Sequence, residues 1–160
     1  MQQMYWRGKV QMSMEQHKRL SNNLKSQLEM IRHQCRQKND ESDDLAQKFP
    51  EFVEKPDHDV VSMFIKSVKD IYTQCGDDLV SFVKTIVTCA VGMITQKPPC
   101  SFTVVSIGSL ARGEATPYSD LEYLFLLHEE NKSVPILDYF ETLAVTTYFL
   151  IGNLGETKLS

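Results

Sequence analysis

The sequence has little of what marks a specialised class of chain. Only four of its 160 residues are cysteine, and Cys35, Cys75, Cys89 and Cys100 form no C-x-x-C pair. That excludes a disulfide framework, and the four read as reduced intracellular thiols. The four histidines, His17, His33, His58 and His128, stand at no zinc spacing to a cysteine, which argues against a structural zinc site. Seven glycines and six prolines are too few for a collagenous or low-complexity chain. The longest apolar run, Leu79 to Ile94, is interrupted by Lys84 and falls short of the roughly 20 residues a membrane span needs, so no membrane partner is expected. No apolar stretch of signal-peptide form opens the sequence, and a cytoplasmic location is expected.

What is present is the composition of an ordinary globular domain: 42% hydrophobic, 24% charged, and a net charge of −4. The charge is unevenly placed. Residues 1 to 39 carry eight Lys/Arg against two Glu, whereas residues 40 to 59 carry eight acids against two Lys. Blocks of opposite sign give no strong nucleic-acid signal; a basic helix face of this kind is ordinarily just solvated, with contact to an acidic partner the lesser reading.

Along the chain, Leu20, Leu24, Leu28, Ile31 and Cys35 recur at helical spacing within a stretch free of Pro and Gly, Met14 to Gln37. They predict one amphipathic helix with a narrow seam, suited to a core or to a protein partner helix. The Asn39 to Asp44 run of capping and acidic residues, followed by Pro50 and Pro56, predicts a linker over 39–56, with a short helical turn near Leu45 to Phe49. A second helix is expected from Asp57 to Gly76 and a third, broadly apolar one from Asp77 to the Lys97-Pro98-Pro99 stop. The period then changes. Phe102 to Ile107 predicts a strand, Gly108 to Ser119 a polar glycine-bearing loop, Leu121 to Leu127 a second strand, and Pro135 to Ile151 a last helix. Helices followed by strands and a closing helix make an α+β chain.

The chemistry-bearing stretch is Ser106 to Leu127: an apolar strand, Gly108-Ser109, ten residues, then Asp120-Leu121-Glu122 and another apolar strand. If the acids open a strand, alternation puts both carboxylates on one face. Two such groups stay ionised cheaply only when a cation shares them, and Mg²⁺ suits oxygen ligands of this kind. Gly108-Ser109 would let backbone approach a phosphate, with Arg112 between the two features. Such a site fits a metal-bound nucleoside triphosphate, with two ions about 3.5 to 4 Å apart in a complete site.

Gly-Ser followed by ten residues and Asp-x-Glu resembles the signature of the polymerase-β-like nucleotidyltransferase superfamily. Arg112-Gly113-Glu114, Pro117 and Ser119-Asp120 further resemble the N-terminal transferase domain of the bacterial protein-PII uridylyltransferases and the nucleotidyltransferases related to them. The resemblance implies a helical N-terminal region followed by a partial polymerase-β-type α/β core with a small mixed sheet. It implies that Gly108 and Ser109 hold the triphosphate and that Asp120 and Glu122 hold Mg²⁺ and serve as the catalytic carboxylates. It also implies transfer of a nucleoside monophosphate to an acceptor hydroxyl of a protein or small molecule, with pyrophosphate leaving.

The sequence departs from that pattern at three points. Ser109 stands where the bacterial motif has a second glycine, and Glu122 where it has an aspartate. A further carboxylate on a later strand is missing: Glu129, Glu130, Asp138, Glu141 and Glu156 all fall in expected turns, a helix or the last residues. The domain division that follows is 1–56 as amphipathic helix and acidic linker, 57–99 as a helical region packing on the core, and 100–160 as a nucleotidyltransferase core incomplete at its C-terminal end. Plainer readings stand beside these. Arg112 and Glu114 could form only a surface ion pair, and Tyr118 is read as capping the apolar edge of the second strand. The rival functions are a catalytically degenerate scaffold of the same fold and a purely helical interaction protein, which would leave residues 102–127 without two paired strands.

Overall fold

A computed structural model describes residues 10, 12–48, 58–128 and 133–155. Among these the order is α1 (Met14–Lys48), α2 (His58–Met93), β1 (Phe102–Ser106), α3 (Gly108–Arg112), β2 (Tyr123–Leu127) and α4 (Val134–Gly152). The chain is α+β. Helix α1 starts at a reciprocal capping pair: Gln16 N–H donates to Ser13 Oγ at 3.2 Å, and Ser13 N–H donates to Gln16 Oε1 at 2.9 Å.

Two expected breaks do not occur. Helix α1 runs through Asn39 to Asp44 as far as Lys48, so the linker expected from residue 39 is helical over its first ten residues. Its remainder, including Phe49 and Pro50 to Pro56, lies outside the described residues. Helix α2 likewise passes through Gly76-Asp77-Asp78 without interruption. Cys75, Gly76 and Leu79 are all buried there, so packing of a continuous inner face outweighs the cost of about 1 kcal/mol for a mid-helix glycine. Asp78 is also held locally, its carboxylate accepting from Gln74 Nε2 at 3.2 Å.

The chain divides into two compact units. The first, here the aromatic unit, takes residues up to Gln27, Ser81–Val105 and the chain from Tyr123 onward. Its sheet is antiparallel: Ser101 O accepts from His128 N–H at 3.0 Å at one end, and Glu122 O from Ile107 N–H at 3.1 Å at the other. That register sets Val104 opposite Phe125. The sheet expected to be mixed has two antiparallel strands among the described residues, and their pairing excludes the purely helical reading. One sheet face carries Phe102, Phe125 and Tyr123, with Phe102 and Phe125 edge-on at 5.8 Å. Helix α4 seats Phe140 on both, 5.2 Å from Phe102 and 6.4 Å from Phe125. Leu79-spaced residues of α2, namely Phe82, Val83, Ile86, Val87 and Ala90, are buried as the broad apolar pattern predicts.

By length and apolarity α4 is the one described helix that could cross a membrane. Its inner face is committed to the fold, with Tyr139, Phe140, Leu143 and Leu150 buried. Thr146 and Thr147 are wholly buried too, and each satisfies its hydroxyl by donating to the carbonyl one turn back, at 2.7 and 2.8 Å. Burial pushes the Tyr123 phenol up, opposed by its hydrogen bond to Thr147. A shallow cavity of about 300 Å³ lined by Lys84, Val87, Thr88, Val91, Phe102 and Val104 holds no carboxylate and none of the motif residues.

The second, the loop unit, takes Leu28–Val80 and Ser106–Glu122. Leu28, Cys35, Cys75, Leu79, Leu110 and Ala115 form its small core. Cys35 on α1 and Cys75 on α2 are both buried, and burial first, then the neighbouring Cys35 thiol, pushes the Cys75 thiol up to about 12.

Candidate functional site

All five residues singled out by sequence, Gly108, Ser109, Arg112, Asp120 and Glu122, fall in the loop unit. Gly108 opens α3 at a φ of +62°, a region where a side chain costs about 1–2 kcal/mol. A second reason for glycine is steric. The space a Cβ would take at Gly108 is occupied by the Glu122 carboxylate, so the acid lies directly on the glycine backbone. The two ends of the motif, fourteen positions apart in sequence, are therefore in contact. The hydrogen bond from Ile107 N–H to Glu122 O fixes the same juxtaposition through the main chain.

Strand β2 begins only at Tyr123, so the acids precede it rather than open it. Glu122 N–H donates to Asp120 O at 3.1 Å, which bends the chain at Leu121. The strand alternation expected to align Asp120 and Glu122 is thus replaced by a tight turn that keeps the two acids close along the chain. Both side chains are exposed. Two exposed carboxylates with hard oxygen donors fit Mg²⁺, which needs only one or two from the protein. No group of three or more His, Cys, Asp or Glu side chains gathers among the described residues. Of the later acids, Asp138 and Glu141 lie in α4, while Glu129, Glu130 and Glu156 fall outside the described residues.

Ser109 lies in the first turn of α3, and its carbonyl accepts from Gly113 and Glu114, closing the short helix with Gly113 at a φ of +67°. Arg112 Nε donates to Glu114 Oε2 at 2.7 Å, an ion pair with both side chains about three-fifths exposed. The plainer reading of that pair describes the structure, and it engages Arg112 through Nε alone.

The loop between motif halves is anchored on both helices of its unit. Ala115 is fully buried, and a Cβ at Gly76 would meet its methyl at 3.7 Å, so the mid-helix glycine is where the loop lies on α2. Beyond it, Ser119 N–H donates to Thr116 O at 3.1 Å, Thr116 N–H to Ser119 Oγ at 2.8 Å, and Tyr118 N–H to Thr116 Oγ1 at 3.3 Å. Pro117 and Tyr118 occupy the tip of this turn. Tyr118 does not cap the strand. Its ring meets two arginines of α1, and Arg36 Nη1 donates to its hydroxyl at 3.1 Å. The i, i+4 spacing of Arg32 and Arg36 flanking the Cys35 position was readable in the sequence as a cationic stripe, but nothing in the spacing names Tyr118 as its counterpart.

Residues 58–155 match the family described as "putative nucleotidyltransferase DUF294". The chain belongs to that family. No curated protein and no solved structure matches it. The matched span begins at α2 and contains the whole motif, so the family assignment and the Gly108–Glu122 contact concern the same loop. Helix α1 lies before it.

Proposed function

We propose that the chain is a Mg²⁺-dependent nucleotidyltransferase, moving a nucleoside monophosphate from a triphosphate to an acceptor hydroxyl as pyrophosphate leaves. The observation that carries this reading is the Glu122 carboxylate resting on the Gly108 backbone, which brings a metal-binding acid to a glycine turn suited to phosphate. Asp120 and Glu122 are the residues to hold Mg²⁺, which when bound supplies positive charge to phosphate oxygens. Gly108 leaves room for the Glu122 carboxylate against its backbone, and Ser109 adds a hydroxyl and a first-turn N–H beside it in sequence. Their work is to hold and orient the phosphates. The resemblance of Arg112 to Asp120 to the uridylyltransferase motif supports a uridylyl-type transfer to a protein or small-molecule hydroxyl.

A second reading, a catalytically degenerate scaffold, is favoured by the pairing of Arg112 with Glu114 and by the absence of a third gathered acid among the described residues. Equilibrium binding of each nucleoside triphosphate, with and without Mg²⁺, separates the two when followed by assay for pyrophosphate release. Metal-dependent binding that Asp120→Asn/Glu122→Gln abolishes, with pyrophosphate formed, is the expected result. Binding without turnover for any acceptor class supports the scaffold, and equal binding by wild type and variant removes the metal site.

A further inference from the structure

Tyr118 is the one tyrosine among the described residues that lies outside helix and strand. Tyr72, Tyr139 and Tyr148 are helical, and Tyr123 opens β2. The Tyr118 side chain is 65% exposed, at the tip of the Thr116–Ser119 turn. That turn is tied by the hydroxyls of Ser119 and Thr116 to nearby backbone N–H groups, bonds that face solvent and are readily exchanged for water. Such a turn can be drawn out into an extended peptide, whereas a tyrosine within a long helix can be extended only by unfolding its neighbours. Residues 114–122 carry three acids, Glu114, Asp120 and Glu122, and no base. An acidic, extendable segment around an exposed tyrosine complements a basic peptide-binding groove.

In the folded loop the phenol oxygen already meets a phosphate-type donor. Arg36 Nη1 donates to Tyr118 Oη at 3.1 Å, and the Arg36 guanidinium carbon stands 5.9 Å from the ring centre. Arg36 is exposed, and this bond uses one of its five N–H donors. Arg32, one turn earlier on α1, lies 5.4 Å from the same ring centre, so the ring rests along the helix. A phosphoryl group on Oη would set its oxygens one bond further out, within the span of the Arg36 fork. Planar guanidinium matches two phosphate oxygens at once, and a phosphate placed opposite arginine gains charge-assisted hydrogen bonds that order the loop carrying it.

We propose that Tyr118 is a phosphorylation site whose phosphate is held by Arg36, fastening the Thr116–Ser119 turn to α1. The co-reactants are ATP and a protein tyrosine kinase. The kinase draws Oη off Arg36 and its catalytic base takes the phenol proton. The bond from Oη to the γ-phosphorus forms as the bond from that phosphorus to its bridging oxygen breaks, and ADP leaves. The turn then returns to α1 with a charge of about −2 where a neutral hydroxyl stood. The inference does not depend on the nucleotidyltransferase reading, since the phosphate comes from another enzyme.

Incubation of the full chain with Mg²⁺-ATP and purified tyrosine kinase catalytic domains, beside a sample without kinase, tests it once the modified tyrosines are mapped by peptide mass spectrometry. Phosphate on Tyr118 well ahead of Tyr148, which is 57% exposed but helical, is the expected result. Labelling that spares Tyr118, or no labelling at all, overturns the site. A nucleotidyl group on Tyr118 in the kinase-free sample overturns it too, while supporting the transferase reading. On the phosphorylated chain, a ³¹P NMR titration then follows the second ionisation of the phosphate, ordinarily near pH 6. Arg36 is expected to lower it by about one unit. Arg36→Gln should restore the ordinary value, and Arg36→Lys, which keeps the charge and loses the fork, should restore part of it. Circular dichroism checks that the variants fold. An ordinary ionisation in the folded wild type, or one that Arg36→Gln leaves unmoved, overturns the clasp.

Discussion

The aromatic unit and the loop unit are held together by different means. In the first, Phe102, Phe125, Phe140 and Tyr139 meet edge to face, and Leu143, Ile86 and Ala90 are fully buried. Such packing is dense and costly to disturb. In the second, the inner residues are two thiols, a glycine, an alanine and a few leucines, and much of the loop is tied by hydroxyl-to-backbone bonds. Exposed acids, a positive-φ glycine and paired arginines occur in the loop unit, whose small core leaves polar groups in reach of solvent. The contrast teaches that dense packing and exposed polar groups are apportioned to different residues of one short chain.

Breaking the first half of the contrast gives the largest effect. Leu143→Ala is expected to cost about 2–5 kcal/mol in denaturant unfolding, because it empties a fully buried site, and to leave Mg²⁺-nucleotide affinity of the folded fraction unchanged. The converse is Asp120→Asn/Glu122→Gln. Metal-dependent nucleotide affinity is expected to fall by at least about a hundredfold, the upper end of what removing even an outer partner of a metal costs, with unfolding free energy within about 0.5 kcal/mol of wild type.

Gly108→Ala crosses the two categories. A methyl at positive φ costs about 1–2 kcal/mol, and it must also push the Glu122 carboxylate aside, so stability and nucleotide binding should fall together. Alkaline titration sharpens the same comparison. With the folded Cys75 thiol pushed up from 9.0 to about 12, its contribution is intact below pH 9, where folded and unfolded chains are both protonated. Above that the unfolded chain releases the proton first, so the melting temperature should fall as the pH rises toward 12. Cys75→Ala should flatten the part of the fall that begins near pH 9, whereas the half-buried Tyr123 and the buried Tyr139 of the aromatic unit add theirs from pH 10 upward. The smallest effect is expected from Arg112→Gln. An exposed ion pair contributes about 0–1 kcal/mol, and unchanged nucleotide affinity in that variant would restrict the proposed phosphate binding to Gly108 and Ser109.

Periodicity made the long helices and both strands legible, because Leu24, Leu28 and Cys35, or Phe82, Val83, Ile86 and Ala90, had to share a buried face for any fold to form, whereas the stretch expected to be loop from Gly108 opens with the five-residue helix α3. The motif singles out five candidate residues, and all five fall in the loop unit. Helix ends were less legible. Gly76 reads locally as a stop, yet its meaning is a contact with Ala115, and a contact between residues 39 positions apart leaves no trace in either neighbourhood. Asn39 to Asp44 reads as a break for the same reason, since like charges on an exposed helix are a weak penalty that propagation of the helix outweighs. Tyr118 reads from sequence as a strand neighbour although it meets α1, because an aromatic residue beside a strand and one facing a distant helix look alike in sequence.

The Gly108–Glu122 contact also has a genetic consequence. Every amino-acid change reachable from a glycine codon by one base substitution brings in a residue with a Cβ, or a stop. Each single-base missense change at position 108 therefore brings both the unfavourable φ and the collision with the acid, and none offers a milder intermediate. Glu122, by contrast, reaches aspartate in a single step and keeps its carboxylate. The acid of this pair is open to gradual change, while its glycine is not.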